Sequence, residues 1–310
     1  MLVSRRSLFV AMVVLVSAGC DKGFQAPPVS DADYATAYEK FLRTRLLQLV
    51  TAGKPNSYTG LRWLPQGKST IGSDTTNVVV LKGRNIPPLI GTLTRTGNDV
   101  SFEPANGAAI LIDSAPAMAG PLTPDDGAKP ASRVDVGSAG FRIVKRVDSV
   151  GVRSWDADRA VATSIEPLEY FKPDRTWRVG GQFVKRAHPD TQAVPTSSGV
   201  AEVYIDVGTV KTKIDGKAYE LTAYAGTGPA DLFFTFSDAT SGEETYGFRF
   251  FHAPLDTIAN TTVIDFNMAY NPDCAFSAFT TCPLPPANNR ITSRITAGEK
   301  IVKHVGEVKR

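Results

Sequence analysis

The chain has 310 residues, 34 Lys and Arg against 31 Asp and Glu, and a formal net charge of +3. No Lys/Arg cluster interleaves with aromatic residues, so the electrostatic footprint of a nucleic-acid binder is absent. The length suffices for one large or two smaller hydrophobic cores.

The N-terminus reads in three parts: Arg5 and Arg6, an unbroken apolar run over residues 8–16 (LFVAMVVLV), and Ser17-Ala18-Gly19 before Cys20. That order is a secretory signal over residues 1–19. The run is too short to cross ~30 Å of hydrocarbon, which takes roughly twenty residues. Small residues just before a cysteine resemble a bacterial lipobox, which implies a lipid on the Cys20 thiol and an acyl anchor on one leaflet. Asp21 resembles an inner-membrane retention signal, and Ser4-Arg5-Arg6 resembles a twin-arginine export signal, with ordinary export the alternative. The expected address is therefore the extracytoplasmic side of the cell membrane, the periplasmic face of the inner membrane in a Gram-negative host. Losing residues 1–19 removes Arg5 and Arg6 and leaves the rest near neutral.

A tether over residues 20–30 leads to the one convincing helix, over residues 31–50. Tyr34, Tyr38, Phe41, Leu42, Leu46 and Leu49 recur at threes and fours, with Ser30 or Asp31 as N-cap. Strands follow at 77–81, 89–94 and 100–103, with residues 109–112 closing a small β subdomain that ends at 113. The Pro- and Gly-rich stretch 114–132 reads as a linker or long loop. A C-terminal β domain over 133–300 holds strands at 141–146, 150–155, 177–185, 201–207, 232–236, 246–252 and 262–267. It also holds a hairpin at 211–221 turning on Asp215-Gly216, the pair a type I′ turn favours. A basic tail, 301–310, closes the chain. The fold class is mainly β: an antiparallel β-sandwich or barrel-like body with one N-terminal helix.

Two local expectations concern chemistry. With Cys20 lipidated, Cys274 and Cys282 remain as an even pair in an exported chain, which reads as a disulfide, with free thiols as the alternative. Zinc is excluded by the lack of a second Cys/His pair. Pairing Phe250 with Ile264 across a loop at 253–261 also pairs Phe248 with Phe266, and places Arg249 opposite Asp265 on one face. A slip of one residue would exchange the faces.

The run Asp265-Phe266-Asn267-Met268-Ala269-Tyr270-Asn271-Pro272, then Cys274, Thr281-Cys282-Pro283-Leu284-Pro285-Pro286 and Asn288-Asn289-Arg290, resembles the signature end of domain-of-unknown-function family 1684. Ala297-Gly298-Glu299-Lys300 is similar to the close of that signature. Gly60-Leu61-Arg62-Trp63-Leu64, Glu169-Tyr170-Phe171 to Trp177-Arg178-Val179, and Glu244-Thr245-Tyr246-Gly247 carry the likeness upstream, over roughly 34–300. The resemblance implies bacterial members, often exported or lipidated, and no assigned activity.

The densest polar cluster is Arg249, Asp265, Asn267, Tyr270 and Asn271. As a site, Arg249 would bind an anionic group bidentately while Asp265 orients it or acts as base. The competing reading is a cross-strand ion pair with Asn and Tyr groups satisfying an irregular loop. There is no G-x-S-x-G elbow, Walker-type loop or H-E-x-x-H, and His188, His252 and His304 are scattered. His252 reads as a packed or rim histidine. No metal and no cofactor are expected. The function expected is a membrane-anchored binding or accessory module for a small anionic ligand. The alternative is a hydrolase or transferase acting on an anionic envelope metabolite through Arg249 and Asp265.

Overall fold

In the computed structural model the described residues are 25–126, 129–162 and 168–302. The expected signal segment, Cys20 and the end of the basic tail lie outside them.

Helix α1 (Asp31–Val50) starts where the pattern places it. Ser30 stays extended and its hydroxyl accepts the Asp33 N–H at 3.1 Å, with Asp31 and Asp33 at the positive end of the helix dipole. Of the periodic apolar residues, Tyr34 and Leu49 are buried while Leu46 is exposed. The third buried residue is Arg45, so an ion pair does part of the docking that apolar residues were expected to do.

Eleven strands then build a sandwich: β1 (Tyr58–Trp63), β2 (Gly67–Gly72), β3 (Val79–Val80), β4 (Gly91–Thr96), β5 (Asp99–Pro104), β6 (Leu111–Ile112), β7 (Ala115–Pro116), β8 (Gly120–Leu122), β9 (Val134–Val136), β10 (Ala139–Arg146) and β11 (Ser149–Asp156). One sheet has the order β3-β2-β4-β5-β8 and the other β1-β11-β10-β9-β6-β7. Ile71, Leu93 and Phe102 of the first share a core with Phe141, Ile143 and Val152 of the second. Alternation along β10 and β11 therefore sends Arg142, Arg146 and Arg153 to the other face.

Three boundaries differ from expectation. The 77–81 strand shrinks to Val79–Val80, because the Asn77 amide is spent on the carbonyls of Asp74 and Pro88. Residues 109–112 supply β6 to the second sheet instead of closing the first. The Pro-rich stretch 114–132 supplies β7 and β8 and buries Leu122. Strands β9–β11 share the core of the residues before them, so the change of core falls after Asp156 and not at 114–132.

A short helix α2 (Ala157–Ala162) precedes six strands that close a barrel: β12 (Arg178–Val194), β13 (Glu202–Ile214), β14 (Lys217–Ala225), β15 (Asp231–Phe236), β16 (Arg249–Asp256) and β17 (Thr261–Asp265), with β17 back against β12. Asp215 and Gly216 both take positive φ, 50° and 73°, as a type I′ turn requires. Phe183, Val210, Leu221, Phe234, Phe251 and Ile264 fill the interior, and Ile291, Ile295 and Ala297 pack against them from the C-terminal segment.

The last hairpin has a different register from the one expected. Strand β16 runs through Pro254, which reads as a strand breaker, and turns at Asp256, whose carboxylate accepts the Ile258 and Ala259 N–H groups at 2.9 Å. Leu255 lies opposite Thr262. The expected Phe250–Ile264 pairing is thus displaced by an odd number of residues, which exchanges the faces. Ile264 and Phe266 point into the barrel with Phe251, whereas Phe248 and Phe250 belong to a cluster outside it.

Candidate anion-binding site

The five residues expected to cluster are dispersed. Arg249 is fully buried inside the barrel, where Nη2 donates to Asp238 Oδ2 at 2.5 Å and to Ile295 O at 3.2 Å, and Nη1 donates to Ala297 O. Burial pulls its pKa below the usual guanidinium value against the opposing pull of Asp238. Asp265 faces outward and accepts the Asn267 N–H at 3.1 Å to start a 3-10 turn, beside the Tyr34 hydroxyl. Desolvation raises its pKa. The Asn267 amide ties that turn to the backbone of Asp174. Asn271 donates its N–H to Glu299 Oε2 at 2.8 Å and gives its carbonyl to Arg45. The Tyr270 ring lies under the Arg45 guanidinium, 4.8 Å away. Arg249 and Asp265 face apart, so the cross-strand pair is withdrawn.

The cysteines are also corrected. Cys274 and Cys282 are unbonded, and the Cys274 N–H donates to Cys282 Sγ at 3.1 Å. The hydrogen bond between the thiols lowers the Cys274 pKa and raises that of Cys282, which burial raises further.

The structure instead brings charge together at the junction of sandwich and barrel. A polar cavity of about 350 Å³ is lined there by Lys54, Arg142, Arg146 and Arg153, by Asp125, Glu202 and Asp273, and by Tyr58, Tyr204, Thr280, Thr281 and Cys282. That volume lies within the ~300–1,000 Å³ common for small-molecule sites. Its floor is the outer face of the β10–β11 hairpin, where Arg142 and Arg153 stand directly opposite each other. Like charges so placed repel.

Each arginine is held by backbone or by an acid. Arg142 Nη2 donates to Gly53 O at 2.7 Å, and its guanidinium lies 5.2 Å from the Trp155 ring. Arg146 donates to Thr281 Oγ1 at 2.9 Å and to the Asp125 carbonyl at 3.1 Å, and pairs with Glu202 at 3.2 Å. Arg153 Nε donates to Phe279 O at 2.9 Å, with the Tyr58 ring 5.3 Å away. Asp125 Oδ2 sits 3.8 Å from Arg142 and 4.0 Å from Arg153, beyond hydrogen-bond range. Arg153 is 6 % exposed, and its Nη2 has no partner among the described residues. Burial raises the pKa of Glu202 against the pull of Arg146, and that of Asp273 against Arg45, Arg153 and Lys54. The cavity thus combines a desolvated guanidinium that has an unpartnered nitrogen with carboxyls of raised pKa, which makes it the candidate site.

Reading the sequence missed these residues, although a signal was present. Phe141-Arg142-Ile143-Val144-Lys145-Arg146 and Val152-Arg153-Ser154-Trp155 read as strands, in which arginines alternate with apolar residues. The tight turn at Val147-Asp148 sets the register, and that register alone places two arginines opposite each other.

Comparison with known proteins gives a family and no activity. The model of "Protein of unknown function (DUF1684)" matches residues 163–300, a shorter span than the resemblance suggested. An uncharacterized protein of Haloarcula marismortui, solved by solution NMR, is 31% identical, with a TM-score of 0.39, over 45% of this chain and 79% of that one. The chain belongs to the DUF1684 family. No curated protein matches. In this DUF1684 protein the C-terminal signature does structural work around the cavity. Gly298 has φ +77°, and a Cβ there would lie 2.5 Å from Ala269 O. Its neighbour Glu299 pairs with Arg45 at 2.7 Å, both almost fully buried, which anchors α1. Among the described residues no helix is long and apolar enough to cross a membrane, and no group of three or more His, Cys, Asp or Glu is placed to hold a metal ion.

Proposed function

We propose that this DUF1684 protein is a lipid-anchored extracytoplasmic binding module whose junction cavity takes a small ligand through an anionic group, a carboxylate or a phosphate. The observation that carries the reading is the free Nη2 of the buried Arg153. Leaving a charged donor unpaired in a desolvated site is unfavourable. A ligand oxygen between Arg142 and Arg153 would supply the partner and screen the repulsion between them. Bidentate geometry suits a planar carboxylate or a phosphate, and Lys54 stands exposed at the rim as a further cation. The hydrolase or transferase alternative rested on Arg249 and Asp265, which face apart, and nothing at those residues favours it.

The address rests on the leader and on Cys20. Labelling with a radioactive fatty acid tests it: the parent incorporates label and Cys20→Ala does not. The site is tested by calorimetric titration with inorganic phosphate and with acetate. Binding by the parent and its loss in Lys54→Ala/Arg142→Gln support the reading, and equal binding by both proteins rejects it.

A further inference from the structure

We infer that the ligand of the junction cavity is zwitterionic, carrying an ammonium group that Asp273 receives while Arg153 holds its anionic end. The inference rests on the anion-binding reading above and adds the second half of the ligand. Two features lead to it. The first is the charge count: the four cations of the cavity share it with three carboxylates, Asp125, Glu202 and Asp273. A multiply charged anion would face all three acids, whereas a ligand with one charge of each sign meets a complement at both ends.

The second is the behaviour of Asp273. In this chain Asp74, Asp174, Asp256 and Asp265 each turn the carboxylate back onto an N–H of the following turn. Asp273 opens a 3-10 turn too, but Pro272 holds the cap position. Its backbone carbonyl accepts the Phe276 and Ser277 N–H groups at 3.0 and 3.1 Å. Its carboxylate lines the cavity and accepts no hydrogen bond from any described residue. Asp273 is partly exposed, so its carboxylate stands open to the cavity with no protein donor and is free to receive one from a ligand. A cation and a carboxylate, each with an atom that has no partner among the described residues, therefore line one cavity. The rings of Tyr204 and Phe250 in its wall add π faces suited to an ammonium group.

The test compares matched pairs of probes that differ by an ammonium group, using the full chain in detergent at pH 7. One pair is β-alanine against propionate, and the other is phosphoethanolamine against ethyl phosphate, which distinguishes a carboxylate end from a phosphate end. In at least one pair the ammonium-bearing probe is expected to bind about tenfold tighter or more, a gain of ~1.4 kcal/mol. Asp273→Asn should abolish the difference in affinity between that probe and its partner. As a control that needs no variant, the phosphate-pair preference in the parent should shrink as Asp273 is protonated on acidification. Equal affinities within both pairs in the parent, or a preference that survives Asp273→Asn, overturns the zwitterion inference while the anion site stands. Failure of all four probes and of inorganic phosphate overturns both.

Discussion

Replacing Arg153 by Met separates a residue kept for binding from one kept for folding. The substitution removes the Nε bond to the Phe279 carbonyl, where a charged donor contributes about 1.5–3 kcal/mol, and the contact with the Tyr58 ring, about 0.5–2 kcal/mol. It also removes an unpartnered buried nitrogen, which costs about 1–3 kcal/mol, and the repulsion from Arg142 directly opposite, about 0.2–1 kcal/mol. These contributions nearly cancel, so the ligand-free variant should lie within about 2 kcal/mol of the parent. Ligand breaks the balance. At a concentration of one hundred times Kd, binding stabilises the folded parent by about 2.7 kcal/mol. At about 2–4 °C per kcal/mol for a chain of this size, that is a rise in Tm of roughly 5–10 °C. Thermal melts with and without inorganic phosphate should show the rise in the parent and none in Arg153→Met. An equal rise in both removes Arg153 from the site. A ligand-free loss beyond about 4 kcal/mol makes Arg153 a structural element and refutes the cancellation.

Arg249→Met removes the countercharge of the buried Asp238, which keeps only the Thr240 N–H and hydroxyl, and should cost about 3–5 kcal/mol by urea melts, while phosphate affinity of the folded protein is unchanged; a parallel loss of affinity would return Arg249 to the site. Glu299→Gln strands the Arg45 cation, with a similar cost, and the double replacement Arg45→Met/Glu299→Met should recover most of it; additive losses would mean the pair is not one unit. Asp273 and Glu202 have raised pKa values in the folded state, so the native protein holds more protons than the unfolded chain. Their unfavourable contribution is fully present above the folded pKa values and is relieved as pH falls through them toward the ordinary carboxylate range. Stability measured from neutral pH downward should therefore fall less steeply in the parent than in Asp273→Asn, and identical profiles would contradict the raised pKa. Iodoacetamide should alkylate Cys274 before the buried Cys282 in native protein, read by peptide mass, and equal rates would contradict the order of their pKa values.

Much of the fold was legible because its signals are local. The capped helix, the Asp-Gly hairpin and the alternation of strands 141–146 and 150–155 depend on residues a few positions apart. Strand continuation was not legible. Residues 253–261 were expected as a loop, but β16 continues through Pro254 to Asp256, which moved the register by an odd number of residues. That shift sent Arg249 into the barrel and with it the expected site. The change of core was hidden for a related reason. Proline and glycine between residues 114 and 132 mimic a linker, while the fact that β9–β11 return to pair with β6 and β1 is a long-range property no window of sequence contains. The arginine cavity lay between these cases. Each arginine sat in a correctly read strand, but the side chains matter only through a register and through a loop more than a hundred residues away.

That loop explains why the cavity can be selective without a regular element on its far side. Residues 273–283 supply Asp273, Thr280, Thr281 and Cys282, yet contain only one short 3-10 turn. They are fixed at both ends. The Cys274 N–H meets Cys282 Sγ, the Cys282 carbonyl accepts the Ser197 N–H at 2.9 Å, and the Leu284 N–H donates to Pro195 O at 2.9 Å. At the entrance, Asn271 is clamped by Glu299, which is held in turn by Arg45 from α1. In the middle, Arg146 and Arg153 grip Thr281 Oγ1 and the Phe279 carbonyl from the sandwich side. The same arginines that line the cavity therefore tie the loop to the hairpin, so the wall is held in place by the protein itself. A site prepared this way avoids the ordering cost of about 0.5–1.5 kcal/mol per immobilised side chain that a mobile loop would add to each binding event. Loosening the clamp at Glu299 should then weaken ligand binding through a lower population of the competent wall, with the arginines themselves unchanged.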